Sequence, residues 1–377
     1  MPFDLPGSAI GLPTETSAER RNRSLVALWL FGLCGMILVM VVLGGATRLT
    51  GSGLSIMEWA PLSGILPPRS EAEWQRLFAL YQQIPQYHLQ HAGFDLDGFR
   101  RIFWLEWIHR LWGRLIGAAL LLPLVGFAAT GMLPRGLWPR LAGLFVLGGL
   151  QGAVGWFMVA SGWFPDAAAV SPYRLTIHLG LALALYAALL WTGLGVLHPA
   201  APRLAGPRPR AARALAITAT ALIALTILAG GLTAGLHAGF DYNSFPLMDG
   251  HLVPPGYGRL QPFLRNLTEN IAAVQFDHRL LATASATTAL LAAWFGLGGV
   301  GLRRARLALL ALGLIAIGQY ALGVATLLSV VQLAPALAHQ TGAVLLLTAG
   351  LVSLHALRGA ARPHHMPVPE RPATRST

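Results

Sequence analysis

The sequence predicts an all-α integral membrane protein with eight transmembrane helices, arranged as two tandem four-helix bundles. Three observations lead to this fold class. The mean hydropathy is +0.58, and 55% of the 377 residues are hydrophobic whereas 11% are charged. Eight apolar runs are long enough to cross a bilayer, and a set of motifs occurs twice in the same order. Such a composition excludes an ordinary soluble enzyme.

Each apolar run reaches the length of about 20 residues that a helix needs to span the hydrocarbon of a membrane. The runs lie near 24–47, 104–131, 138–160, 174–197, 212–235, 273–297, 306–330 and 334–357. The first run starts like a signal peptide but is too long for one, so we expect it to stay in the mature chain. The long segment after it should contain a short amphipathic helix near 71–84.

The positions of the arginines that give the net charge of +12 indicate the topology of the chain in the membrane. All 27 basic residues other than histidine are arginine, and 16 of them lie in the two tails and in the turns near 131–140, 198–213 and 303–306. An excess of arginine on one side of a membrane marks the cytoplasmic side. We therefore expect both termini to be cytoplasmic, in a bacterial inner membrane, with lipid and not nucleic acid as the partner of this charge.

The motifs of the first four runs recur in the last four, which indicates an internal duplication. Glu-Trp-Ile-His-Arg at 106–110 matches Gln-Phe-Asp-His-Arg at 275–279, with the histidines 169 residues apart. The other matches are Gly44-Gly45 with Gly230-Gly231, Gln151 and Gly155 with Gln319 and Gly323, and His178 with His339. Two units with an even number of spans insert in the same orientation, so a pseudo-two-fold axis along the membrane normal should relate them.

This organisation divides the chain into five parts. They are an N-tail (1–23), a first bundle (24–197), a cytoplasmic linker (198–212), a second bundle (213–357) and a disordered cytoplasmic tail (358–377). Each bundle is expected to bury its functional side chains between its own helices.

Four histidines occupy the duplicated positions: His109, His178, His278 and His339. Ionisable residues at membrane depth usually face a protein interior and mark a functional path. The second and fourth helices of a bundle can face each other, which pairs His109 with His178 and His278 with His339. Two facing histidines with few carboxylates and no thiolate nearby suit haem iron better than zinc or calcium.

The two halves differ in one acid. Glu106 lies one helical turn from His109, and Gln275 replaces it in the second half. Only the first half therefore holds a carboxylate one helical turn from its histidine, and we predict that it is the reaction site. The second half would be an electron-transferring or structural haem site.

Four arginines are candidates for contacts with a haem. Arg110, Arg114 and Arg279 are placed to pair with haem propionates, and Arg48, which becomes Ala234 in the second half, could shape the first site. The alternative for each is an arginine whose charged end simply reaches the membrane surface.

Together these residues resemble the haem A synthase family, over nearly all of the chain from 24 to 357. The resemblance rests on Gly-Gly-Ala-Thr-Arg-Leu-Thr-Gly-Ser-Gly-Leu at 44–54, on Glu-Trp-Ile-His-Arg at 106–110, on Gln151 and Gly155, and on the paired histidines. Some members carry a cysteine pair in an outer loop; the single Cys34 of this chain lies in the first run, so no thiol role is expected.

The resemblance implies an activity and roles for the residues. The methyl group of haem O would be oxidised to a formyl group by successive hydroxylation and loss of water. His109 and His178 would ligate the substrate haem, His278 and His339 would ligate a bound haem b, and Glu106 would be the essential acid. Haem O synthase and an unidentified electron-transfer protein are the implied protein partners.

Two other classes of protein fit parts of the pattern. A dihaem b-type electron carrier that oxidises quinol explains the four histidines equally well, and on the residues alone it would lead. It leaves the exchange of Glu106 for Gln275 unexplained. A transporter built on a parallel repeat would use the histidines as proton relays, but it predicts broken helices and a site at the membrane midplane.

Overall fold

The computed structural model describes residues 16–360 except 135, 166 and 203, and this part of the chain is helical without a β-strand. The eleven α-helices of these residues are α1 (Ser17–Leu49), α2 (Glu71–Tyr81), α3 (Pro85–Gln90), α4 (Leu96–Ala129), α5 (Leu137–Val159), α6 (Pro172–Leu197), α7 (Pro207–Gly235), α8 (Asn266–Glu269), α9 (Ile271–Leu297), α10 (Arg303–Leu328) and α11 (Leu333–Ala356). Eight of them, all except α2, α3 and α8, are long and apolar enough to cross a membrane. The predicted all-α class and the number of spans are confirmed.

Three helices begin well before the apolar runs that predict them, and one of them is α4, which begins at Leu96. α1 begins at Ser17 because Thr16 caps it: the Thr16 hydroxyl accepts from the Glu19 amide at 3.2 Å, and the Glu19 carboxylate accepts from the Thr16 amide at 2.9 Å. α7 begins at Pro207, inside the predicted linker. Arginine favours helix formation, so a helix continues beyond its apolar stretch. Residues 1–15 of the predicted N-tail and residues 361–377 of the predicted C-terminal tail lie outside the described residues.

Residues 50–95, between α1 and α4, are here called the outer segment. It contains the amphipathic helix that the sequence predicts: α2 begins after Ser70, whose hydroxyl accepts from the Glu73 amide at 3.2 Å. One face of α2 is buried, and Trp74 and Phe78 pack there against the start of α4. The outer segment is therefore a packed cap on the first half.

Each half of the chain contributes four long helices, and the halves join through α1, α6, α7 and α11. Gly45 of α1 faces Gln340 of α11, whose side-chain amide donates to the Val41 carbonyl at 2.6 Å. Gly231 of α7 likewise faces Thr176 of α6. Small residues at these crossings let the helices approach closely. Gly45 and Gly231, which the duplication matches, both lie at crossings between the halves, and the pseudo-two-fold axis stays a prediction.

Candidate functional site

The first histidine pair lies between α4 and α6, and each ring is half-buried against a glycine. A Cβ built on Gly44 of α1 would lie 3.2 Å from Nε2 of His109, and one on Gly155 of α5 would lie 2.8 Å from Cε1 of His178. The two rings are close enough to interact electrostatically. The structure thus brings together the two histidines that the sequence pairs.

The second pair repeats this arrangement between α9 and α11. His278 lies against Gly230 and His339 against Gly323, with Cε1 3.0 and 2.9 Å from a Cβ built on the respective glycine. These two rings also interact electrostatically. The glycines that the sequence matches between the halves are therefore the surfaces on which the four imidazoles rest, and a larger side chain there would displace the ring.

The matched glutamines tie neighbouring helices together at the histidines. The Gln151 amide donates to the His178 carbonyl at 3.0 Å, and the Gln319 amide donates to the His339 carbonyl at 2.9 Å. Each amide nitrogen also lies near its histidine ring, 3.4 Å from His178 Nε2 and 3.1 Å from His339 Nδ1. The sequence shows the duplication of these glutamines but not their role, because the bonds join different helices.

The residues around the histidines fit axial ligation of haem. The Nδ1 atom of His278 lies 3.1 Å from the Thr226 carbonyl, a contact of the kind that orients metal-ligating imidazoles. Nδ1 of His178 is buried with no hydrogen-bond partner among the described residues. Among the described residues, α4 and α6 do not pack closely against each other, and neither do α9 and α11. A flat macrocycle between two histidine-bearing helices suits such a gap.

Metal ligation outside a porphyrin has little support here. Within residues 16–360, apart from the three undescribed positions, no group of three or more histidine, cysteine or acidic side chains is placed to hold a metal ion. Two histidines alone leave a bare ion short of ligands, whereas a porphyrin supplies four nitrogens of its own.

Glu106 is 2% exposed, and both oxygens of its carboxylate accept hydrogen bonds. One oxygen accepts from the Ser55 hydroxyl at 2.7 Å and the Ile56 amide at 2.9 Å, and the other accepts from Nε and Nη2 of Arg110 at 3.1 and 2.6 Å. Four donors, two of them on a guanidinium, compensate the carboxylate for the loss of water. Glu106 thereby holds the outer segment on α4, one helical turn from His109.

The predicted propionate-binding arginines also hold this segment. Arg110 donates to the Ile56 and Glu58 carbonyls at 2.6 and 2.8 Å. Arg114 donates to the Ala60 and Pro61 carbonyls, each at 2.9 Å. Nη1 of Arg114 is buried without a partner among the described residues. The propionate role stays a prediction; in this structure both side chains are anchors for the outer segment.

The second half has the same anchor with the opposite hydrogen-bond polarity. The Gln275 amide donates to the Ala238 and Asp241 carbonyls at 2.8 and 2.6 Å, where Glu106 accepts from its loop. Arg279 donates to the Tyr242 and Ser244 carbonyls at 2.6 and 2.9 Å. The exchange of glutamate for glutamine thus matches the loop that each residue holds, a structural reason that the sequence does not reveal.

Arg48 connects the two halves. Its Nη1 atom donates to the Ala234 carbonyl at the end of α7, at 3.1 Å. Ala234 is the residue that the duplication matches to Arg48. The arginine therefore lies at a junction of the two halves, and its role in shaping the first site stays a prediction.

Comparison with known proteins identifies one family. A family model described as cytochrome oxidase assembly protein matches residues 27–351. A relative from Granulibacter bethesdensis named "Heme A synthase" is 62% identical, over 94% of this chain and 93% of the relative. Proteins of the same name from Nitrosospira multiformis and Rhodospirillum centenum are 46% and 48% identical, over 92% and 88% of this chain and 97% and 88% of their own lengths. No solved structure matches the chain.

Proposed function

Because the chain belongs to the cytochrome oxidase assembly protein family, we propose that it is a haem A synthase, an oxidoreductase that converts a methyl group of haem O to a formyl group. The relatives named for this activity cover nearly the whole chain. One observation within the structure carries the proposal. Two histidine pairs rest on matched glycines in the two halves, and only the first pair has a buried carboxylate one helical turn away.

The proposal assigns a haem to each half. His109 and His178 hold haem O as substrate, and His278 and His339 hold haem b as the cofactor. Iron supplies the oxidising chemistry of both groups when they are bound. The protein holds the rings, through Gly44 and its counterparts, and fixes their orientation through the glutamine and carbonyl bonds of neighbouring helices.

Glu106 is the residue proposed to handle protons. If water supplies the oxygen, oxidation of a methyl group to a formyl group passes four electrons to an electron-transfer partner and releases four protons. Glu106 is the buried carboxylate nearest in sequence to a ligand of the first site and would accept such a proton. Ser55 donates to it at 2.7 Å and lies on the outer segment, so the hydroxyl is the first candidate to pass a proton outward. Gln275 offers no such group in the second half.

The proposal includes a place in the cell and two kinds of partner. The arginine-rich ends lie in the cytoplasm of a bacterium, the helices lie in its inner membrane, and the histidine pairs lie towards the outer side. Haem O comes from haem O synthase, and an electron-transfer protein serves the second haem. The apolar span of each long helix supports the membrane location.

Mass analysis of extracted haems tests the activity. Membranes of cells that make haem O are compared with and without the wild-type chain and its Glu106→Gln, His109→Ala and His278→Ala variants. We expect the wild type to convert haem O to a formyl product. Glu106→Gln should bind both haems without conversion, whereas His109→Ala should lose haem O and His278→Ala should lose haem b.

The same experiment separates the alternative function. A dihaem electron carrier would bind two haems in the wild type and leave haem O unchanged in every membrane. That result would overturn the synthase proposal, since haem binding without conversion is what a carrier predicts.

A further inference from the structure

The two halves differ in how closely their second and third helices pack. In the most apolar 18-residue stretch of each helix, 28% of the residues of α9 and of α10 are buried, against 11% in α4 and 6% in α5. The helices correspond through the duplication, and the compared stretches are equally long. α4 and α5 also contact each other less than α9 and α10 do, so the first half is more open there than the second.

Residue size differs at matching positions of the two helix pairs. Gly313 of α10 faces α9, and a Cβ on it would lie 2.9 Å from Cβ of Ala293. Shifts of 168 and 169 residues place Phe145 of α5 and Leu124 of α4 at these positions. Small residues let two helices approach, and large ones hold them apart.

One residue difference between the halves leaves the gap between α4 and α5 open beside the first histidine pair. The Tyr320 hydroxyl of α10 lies 3.1 Å from the Thr283 hydroxyl of α9 and bridges those helices. The shift of 168 residues that matches Gln151 with Gln319 matches Gly152 with Tyr320. A Cβ on Gly152 would meet no heavy atom within 4 Å. The neighbouring Gln151 is bonded to His178, so the gap lies at the depth of the histidines.

The gap is closed on its outer side. The Arg110 guanidinium of α4 lies 5.6 Å from the ring centre of Trp156 on α5, and that ring stacks on Trp59 of the outer segment at 6.0 Å. Trp156 lies one helical turn beyond Gly152. A part of a bound ligand that leaves the first site through this gap therefore enters the hydrocarbon of the membrane and not the water outside.

We propose that the gap between α4 and α5 at Gly152 is a lateral opening through which the isoprenoid tail of haem O extends from the first site into the lipid. This inference rests on the proposed function. Haem O carries a long isoprenoid chain where haem b carries a vinyl group, so only the site for haem O needs an exit. An apolar chain loses nothing by lying among lipid tails, which are equally apolar. Nδ1 of His178 is buried without a partner among the described residues, which fits a haem in the first site, where the tail would begin.

Exchanging the two residues between the halves tests the opening. Gly152→Tyr places the bridging side chain of the second half in the first, and Tyr320→Gly removes it from the second. The chains are purified from cells that make both haems, and haem O and haem b are extracted and counted per chain. The oxidised products of haem O are counted with haem O, because the active protein converts it. We expect Gly152→Tyr to lower bound haem O at least tenfold while haem b stays at one per chain, and Tyr320→Gly to admit haem O at the second site.

Leu150→Tyr is the matched control, because this side chain is 52% exposed on the same helix. It lies about 200° around the helix from Gly152, and its replacement introduces the same tyrosine side chain. It should bind haem O as the wild type does. If Gly152→Tyr bound as much haem O as the wild type, the proposal would be overturned, and the gap would hold membrane lipid only. A wild type that binds no haem O would overturn the proposed function instead. If Gly152→Tyr loses haem b as well, the variant has failed to fold and the test rests on Tyr320→Gly. A Tyr320→Gly chain that binds no haem O at its second site would then reject the opening.

Discussion

Replacing Glu106 with glutamine should release the outer segment from α4 as well as remove a proton acceptor. The carboxylate accepts four hydrogen bonds, two of them from Arg110. A glutamine keeps one acceptor oxygen and turns an amide donor towards either Arg110 or the Ile56 amide. Removing one member of a buried ion pair costs about 3–5 kcal/mol. Arg110 still donates to the Ile56 and Glu58 carbonyls in this variant. We therefore expect a loss at the lower end of this range, about 3 kcal/mol of local stability.

Amide hydrogen exchange measures this loss directly. Exchange at residues 55–61 should accelerate by roughly 100-fold in Glu106→Gln, which is the factor that about 3 kcal/mol allows, while residues 238–244 stay protected. Gln275→Glu is the matched variant, since it turns a carboxylate towards the Ala238 and Asp241 carbonyls and should release residues 238–244 instead. Unchanged exchange at 55–61 in Glu106→Gln would refute the anchoring argument, and lost conversion of haem O would then be due to proton chemistry alone.

Two further predictions concern the second histidine pair and the outer segment. Gly230→Val should displace His278, because even a Cβ lies 3.0 Å from its Cε1 atom, and should abolish the absorption of the second haem; Gly143→Val, where a Cβ meets nothing within 4 Å, should leave it intact. Burial lowers the pKa of His91 from its usual 6.5, so the folded cap binds fewer protons than the unfolded one and its stability falls as the pH drops below about 6.5. Proteolysis of residues 71–94 should therefore be faster at about pH 5.5 than at about pH 7.5; equal rates at both values, or the same acceleration in His91→Phe, would contradict this role for His91.

The sequence carries most of the information about what crosses the membrane. Apolar length depends on neighbouring residues alone, so eight spans follow from hydropathy. The duplication is also a property of the chain itself, and it identifies the glycines and histidines that the structure places against each other. The amphipathic helix in the outer segment follows from its local pattern and from the cap at Ser70. The helix starts at Ser17, Leu96 and Pro207 differ from prediction because apolarity marks the hydrocarbon, whereas a helix continues until its hydrogen bonds end.

The tertiary structure decided what the charged residues of the first half contact. Glu106 meets Ser55 and Ile56, about fifty residues earlier in the chain, and Arg48 meets Ala234 of the other half. Such partners depend on how loops return to helices, which no local pattern encodes. The same holds for the gap at Gly152: a lone glycine in an apolar helix indicates close packing as readily as open space, and only the positions of α4 and α5 distinguish them. Local sequence determines which segments span the membrane, whereas the packing of distant segments determines which polar groups are anchored and which space is left for a ligand.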